Sequence, residues 1–276
     1  MSHAFPALLR LVCLTVWSLL IVGPYALSRT VGWGYRRLGV FHWWVCSRIL
    51  GLDIRRYGAV SANQPLLVVS NHVSYLDIFI LGLCIPGGVF VAKAEVAGWP
   101  GLGLLAKSAR TIFIDRRRSA TGQAARDIRR RFVQGDPLVL FPEGTSDDGN
   151  RVYPFKSALF SVADTPVVLP GNDTASEPWV QPVTLAYTRV DGLPMGRCLR
   201  PLFAWYGDMD LAPHAWTVLG FGRLGVDVIF HPPVRPADFA SRKALSGYCQ
   251  AQISGGLSRA LSGRLEDEAP AAASGR

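Results

Sequence analysis

Pro65-Leu66-Leu67-Val68-Val69-Ser70-Asn71-His72-Val73-Ser74-Tyr75-Leu76-Asp77 is the stretch on which the reading of this chain turns. Residues 65–70 form a short unbroken apolar run, the pattern of a buried strand, and the apolar stretch from Tyr75 to Ile85 predicts a helix. His72 lies in the turn between them, and strand ends in α/β sheets are common places for ligand chemistry. Ser74 is spaced to cap the helix, with Asp77 three residues later in the first turn, where its carboxylate can reach back to His72. A carboxylate on one imidazole nitrogen fixes the tautomer and stabilises the imidazolium formed when the other nitrogen takes a proton. A hydroxyl nucleophile needs such a base. The same spacing also suits a capping-box variant beside a satisfied histidine, with no chemistry attached.

Short apolar runs and helical stretches alternate on the C-terminal side. Gly88–Ala92, Thr111–Ile114, Leu138–Phe141, Val180–Tyr187 and Gly225–Phe230 read as strands; Ser119–Val133 and Phe155–Ala163 read as helices, the first with an Arg-rich face. This alternation predicts an α/β fold, a mixed sheet flanked by helices. Asp164–Pro178, rich in Pro, Gly, Asn, Thr and Ser, reads as a surface loop. The acidic, then Ala-rich tail from residue 266 reads as unstructured.

Two other strand ends carry suggestive side chains. Phe141-Pro142-Glu143-Gly144-Thr145-Ser146 presents a carboxylate and two hydroxyls around a glycine that permits a tight turn. Ile112-Phe113-Ile114-Asp115-Arg116 delivers a guanidinium able to grip a phosphate bidentately. Either segment alone is equally well an ordinary turn or a local salt bridge.

Composition narrows the setting. Hydrophobic residues make up 49% and charged residues 18%, with eight Trp, too apolar for a simple cytosolic domain and too polar for a multi-span transporter. Leu11–Ser28 is uncharged; as a helix its eighteen residues span about 27 Å, just short of a hydrocarbon core of roughly 30 Å, and Pro24 is expected to kink or end it. Leu38–Leu50 follows, with Phe41, Trp43 and Trp44 beside Arg36, Arg37 and Arg48, a mixture suited to a membrane interface. Residues 1–51 are therefore expected to form a membrane-anchoring helix or helix pair, 52–265 the α/β domain and 266–276 a tail. The segment lacks a convincing signal-peptide cleavage site. Arg29, Arg36 and Arg37 follow the first segment and only Arg10 precedes it, which places the downstream domain on the cytoplasmic side.

The net charge is +9, and Arg116, Arg117, Arg118, Arg126, Arg129, Arg130 and Arg131 fall within sixteen residues. Anionic lipid, a phosphorylated substrate or a solvated helix face all suit such a cluster; nucleic acid is not expected, because no nucleic-acid-binding module accompanies it. The five cysteines are scattered without a C-x-x-C pair, so neither a disulfide framework nor a zinc site is expected.

Taken together, N-H-V-S-Y-L-D at 71–77, F-I-D-R at 113–116, F-P-E-G-T at 141–145 and V-Q-P-V at 180–183 resemble, in order and spacing, the glycerolipid acyltransferases of the 1-acylglycerol-3-phosphate type. The resemblance covers roughly residues 60–190. It implies His72 as general base on an acceptor hydroxyl and Asp77 as its orienting partner. It further implies that Asn71, Arg116, Glu143, Gly144 and Thr145 hold the acceptor, with Lys93 and Lys156 in electrostatic roles. No metal or cofactor is expected; the acyl donor, on acyl-carrier protein or coenzyme A, is a substrate. No G-x-S-x-G elbow occurs, which favours direct attack over an acyl-serine intermediate.

The family default implies 1-acyl-sn-glycerol 3-phosphate as acceptor, in membrane lipid synthesis at the bacterial inner membrane. Two departures bear on that choice: Ser146 stands where many members carry Arg, so that one head-group cation is missing or is replaced by Arg151 or Lys156, and Ala158 stands where a Gly is common. G-L-P-M-G-R, F-A-W-Y-G-D-M and F-H-P-P-V are similar to bacterial members that acylate lyso-ornithine lipids, and this is the alternative. A non-catalytic lipid-binding protein is the remoter alternative, disfavoured by the presence of both His72 and Asp77.

Overall fold

A computed structural model describes residues 4–98, 103, 111–114, 122–164, 166–169, 171 and 173–265. The helices are α1 (Ala4–Thr30), α2 (Tyr35–Leu50), α3 (Leu76–Cys84), α4 (Gly122–Val133), α5 (Leu211–Gly220) and α6 (Arg242–Leu261). The strands are β1 (Leu52–Tyr57), β2 (Leu66–Ser70), β3 (Val89–Lys93), β4 (Ile112–Ile114), β5 (Leu138–Leu140), β6 (Val167–Val168), β7 (Ala175–Ser176), β8 (Trp179–Val190), β9 (Leu193–Pro194) and β10 (Leu224–Phe230). All but β6 and β7 join one mixed sheet in the order β1-β10-β8-β2-β5-β3-β4, with β9 paired to β8.

The sheet is central because β2 is apolar on both sides. Leu66 and Val68 face a core shared with α2 and α3, whereas Leu67 and Val69 face a second core under α4 and α6. Both layers exclude water, so the strand reads as a continuous apolar run. Strands β8, β2, β5, β3 and β4 are parallel, while β10 runs antiparallel to β8. The C-terminal ends of β2 and β5 therefore open side by side at one edge.

The N-terminal helices dock on α3 and α5. Trp43 of α2 meets Phe79 edge-on at 5.7 Å, and Arg10 of α1 donates to the carbonyls of Leu219, Phe221 and Gly222 at the end of α5. Much of the rest of α1 is bare: Phe5 is 72% exposed, Leu19 73% and Leu20 64%.

Several expectations are revised. Helix α1 continues through Pro24 to Thr30, since the missing N–H costs one intrahelical bond in a long exposed helix. The expected helix at Phe155–Ala163 is a 3-10 segment, Ser157–Asp164. The expected loop at Asp164–Pro178 contains the small β6–β7 hairpin. Strand β1 and helices α5 and α6 were not anticipated. Helix α6 hides its signal because close packing demands a small residue: a side chain at Gly256 would lie 2.5 Å from Thr184 Oγ1. The acidic tail and Arg116 lie outside the described residues, as does the start of the Arg-rich helix.

Candidate active site

The end of β2 turns His72 toward the helix that follows. His72 Nδ1 lies 2.8 Å from Asp77 Oδ2, which also accepts the backbone N–H groups of Val73 at 2.7 Å and Ser74 at 3.1 Å. Asp77 Oδ1 accepts the Tyr187 hydroxyl at 2.8 Å. A fully buried carboxylate needs such donors in place of water. The expected Ser74 side-chain cap is therefore inverted: Ser74 offers its backbone N–H to Asp77, and α3 has no side-chain cap. With Nδ1–H directed at Asp77, Nε2 is left to accept a proton. The ring stacks on Phe141 at 4.2 Å and 17°, and the His72 side chain keeps 22% of its surface exposed.

The loop after β5 clasps this turn from the side. Glu143 Oε1 accepts the His72 N–H at 2.9 Å and Oε2 accepts the Tyr153 N–H at 2.7 Å. Asp147 N donates to the His72 carbonyl at 3.0 Å. Burial and the neighbouring Asp147 raise the Glu143 carboxyl, and burial raises Asp147 too, so the pair retains a proton between them at neutral pH. Gly144, at φ 70°, supplies the left-handed turn that brings the loop round. Arg200, buried, ties the far end of the loop to the sheet through the Tyr187 carbonyl at 2.9 Å and the side chain of Asn150.

The residues expected to hold the acceptor separate into groups. Asn71 is fully buried, and its side-chain amide exchanges bonds of 2.9 and 2.8 Å with the backbone of Leu185, extending the β2–β8 pairing. Glu143 is buried too, and its carboxylate oxygens hold the backbone amides of His72 and Tyr153. Gly144 is half-buried in the turn beside His72, and Thr145 and Lys156 are exposed on the same loop. Arg151 lies over the Tyr153 ring at 5.0 Å. Arg116 lies outside the described residues, as does the side chain of Lys93. Among the described residues, no group of three or more His, Cys, Asp or Glu is placed to hold a metal ion.

Tyr187, Phe141 and Asp147 were missed. The alternation Val183, Leu185, Tyr187 marks one face of β8, but that face meets Asp77 only because β8 pairs with β2.

The family profile described as Acyltransferase matches residues 52–183. The lyso-ornithine lipid O-acyltransferase of Brucella abortus is 43% identical over 240 residues, covering 86% of this chain and 88% of that one. The 1-acyl-sn-glycerol-3-phosphate acyltransferase of Neisseria gonorrhoeae is 31% identical over 205 residues, covering 74% and 73%. In fold, the crystal structure of the 1-acyl-sn-glycerophosphate acyltransferase of Thermotoga maritima matches with a TM-score of 0.63 at 22% identity, over 94% of this chain and 97% of that one. This chain belongs to the acyltransferase family.

Proposed function

We propose that this acyltransferase moves a fatty acyl group from a thioester to the free hydroxyl of lyso-ornithine lipid, making ornithine lipid. The observation that carries the acceptor is the 43% identity to a lyso-ornithine lipid O-acyltransferase over most of both chains, against 31% to a 1-acyl-sn-glycerol-3-phosphate acyltransferase. The loop beside His72 points the same way. Where a phosphate-binding Arg is common, this chain continues Ser146-Asp147-Asp148, and Ser146 Oγ is engaged with the Trp205 carbonyl. An ornithine head group carries an ammonium and a carboxylate, so a loop with fewer cations suits it better than it suits a phosphate. These observations favour ornithine over the family default of a glycerol phosphate.

In the mechanism, the acceptor hydroxyl gives its proton to His72 Nε2 as its oxygen attacks the thioester carbonyl. Asp77 stabilises the resulting imidazolium through Nδ1–H, at the 2.8 Å contact. Collapse of the tetrahedral intermediate breaks the carbon–sulfur bond, and the imidazolium returns the proton to the departing thiolate. A base so held contributes on the order of 10²–10⁴-fold. The thioester arrives on acyl-carrier protein or coenzyme A.

The lipid substrate reaches His72 from a bilayer on which α1 and α2 rest. Their exposed apolar side chains, with Trp216 of α5, supply a surface suited to lipid. Tyr75, next to the catalytic turn, stacks edge-on against His214 of α5 at 5.6 Å, which joins that surface to the site. The catalytic domain then faces the cytoplasm, where the acyl thioesters are made. The test is a comparison of kcat/KM for lyso-ornithine lipid and for 1-acylglycerol 3-phosphate in mixed micelles. A higher value for lyso-ornithine lipid is expected, and a clear preference for the phosphate overturns the assignment.

A further inference from the structure

A second polar site lies away from the catalytic turn, where the bare helix pair ends. Arg29 in the last turn of α1, Tyr35 at the start of α2, and Arg131 and Gln134 at the end of α4 line a cavity of about 350 Å³. Arg36 borders it: its guanidinium lies 3.3 Å from the Tyr35 hydroxyl and 3.1 Å from Asp136. Arg131 approaches the same Asp136 at 3.9 Å. Of Arg29, Arg36, Arg131 and Asp136, only the last is acidic, so this group carries a surplus of positive charge. Asp136 precedes β5, whereas Glu143 and the catalytic turn follow it, so the cavity opens at the opposite edge of the sheet from His72.

Its surroundings indicate what it binds. Leu27 is 65% exposed, Val31 68% and Trp33 80%, all within four residues of Arg29. Tryptophan and aliphatic side chains next to guanidiniums match the boundary where acyl chains give way to head groups. Guanidinium groups grip phosphate oxygens through parallel N–H bonds, and a phenol hydroxyl adds a further donor. A soluble anion would make no use of the apolar flank.

We propose that Arg29, Tyr35 and Arg131 form a binding site for the phosphate of an anionic phospholipid head group, separate from the acceptor site. Occupied, it pins the α1–α2 turn to the bilayer at the edge far from His72 and so sets how the catalytic edge meets the surface. The proposal rests on the bilayer-associated reading of α1 and α2.

The test uses the full chain with vesicles of phosphatidylcholine, alone or with phosphatidylglycerol. The double variant Arg29→Gln/Arg131→Gln is compared with Arg242→Gln/Lys243→Gln, which removes the same charge at the start of α6. Each guanidinium at the surface adds roughly fivefold to anionic binding. The first variant should therefore lose about 10- to 30-fold on phosphatidylglycerol vesicles, keep its phosphatidylcholine binding and keep turnover of detergent-dispersed acceptor. Arg29→Gln alone, on an exposed residue, should lose about fivefold and guards against a folding defect from Arg131. Equal losses in both double variants, or none in the first, overturn the site while leaving the bilayer reading intact. Failure of the wild type to bind either vesicle overturns both. Inorganic phosphate binding measured by calorimetry should be undetectable; saturable binding abolished by Arg29→Gln would reassign the cavity to a soluble anion and overturn the lipid proposal.

Discussion

Glu143 accepts the backbone N–H of His72 at 2.9 Å, joining two loops that are 71 residues apart in the chain. The contact exists because β2 and β5 are adjacent and parallel, so whatever follows one meets whatever follows the other. Within F-P-E-G-T, the glutamate thereby holds the His72 turn in place.

This clasp has a pH signature. Burial and Asp147 push the Glu143 carboxyl up to about 9, whereas in the unfolded chain it titrates near the ordinary value of about 4.3. The folded protein therefore holds a proton that the unfolded chain has released. Its contribution to stability is complete below about pH 4 and is lost as pH rises toward 9. Denaturant midpoints should fall between about pH 5 and pH 9, and Glu143→Gln, which has no proton to lose, should flatten that slope. Parallel slopes would count against the shared proton.

Tyr187→Phe removes one of the four donors around Asp77, leaving Oδ1 buried without its hydroxyl partner. A hydrogen bond to a charged group is worth about 1.5–3 kcal/mol. Urea denaturation should show a loss of that size, and turnover should fall as Asp77 loosens. An unchanged midpoint would mean that Tyr187 does not support the pair.

The loss of a cation at position 146 can be reversed. Ser146→Arg should raise kcat/KM for 1-acylglycerol 3-phosphate relative to lyso-ornithine lipid by roughly tenfold, the equivalent of one charge-assisted hydrogen bond. No change in the ratio would remove Ser146 from the account of acceptor choice.

Membrane docking is tested on the bare face of α1. Burial of a leucine side chain is worth about 1.5–3 kcal/mol, so Leu19→Asp together with Leu20→Asp should reduce partition into phosphatidylcholine vesicles by 100-fold or more, roughly tenfold or more for each residue. Flotation assays on both proteins measure this directly. Equal flotation would place the membrane contact elsewhere.

Local pattern made some of this legible in the sequence. The apolar run at 65–70 declared a buried strand, and His72 with Asp77 could be paired because five residues across a strand-to-helix turn fix their separation. Longer-range facts were hidden. Asn71 and Glu143 look like substrate ligands when read as motif letters, yet Asn71 bonds the backbone of Leu185 in β8, and Glu143 bonds the backbone of His72 and Tyr153 in the loops after β2 and β5. Tyr187 could be linked to Asp77 only by knowing that β8 lies beside β2. Helix α6 escaped because close approach to β8 selects small residues such as Gly256, which erase the apolar period. Pattern reading finds elements and neighbours in sequence, while strand order decides which side chains meet.

The most direct measurement is turnover by His72→Ala in vesicles, with the acyl thioester and lyso-ornithine lipid saturating. The His72 side chain is partly exposed and the turn is held by backbone bonds to Glu143 and Asp147, so the variant should fold and bind vesicles as the wild type does. Its turnover should fall by about 10²–10⁴-fold, the contribution of a general base. A folded, membrane-bound His72→Ala protein that transfers acyl groups at the wild-type rate would contradict the mechanism.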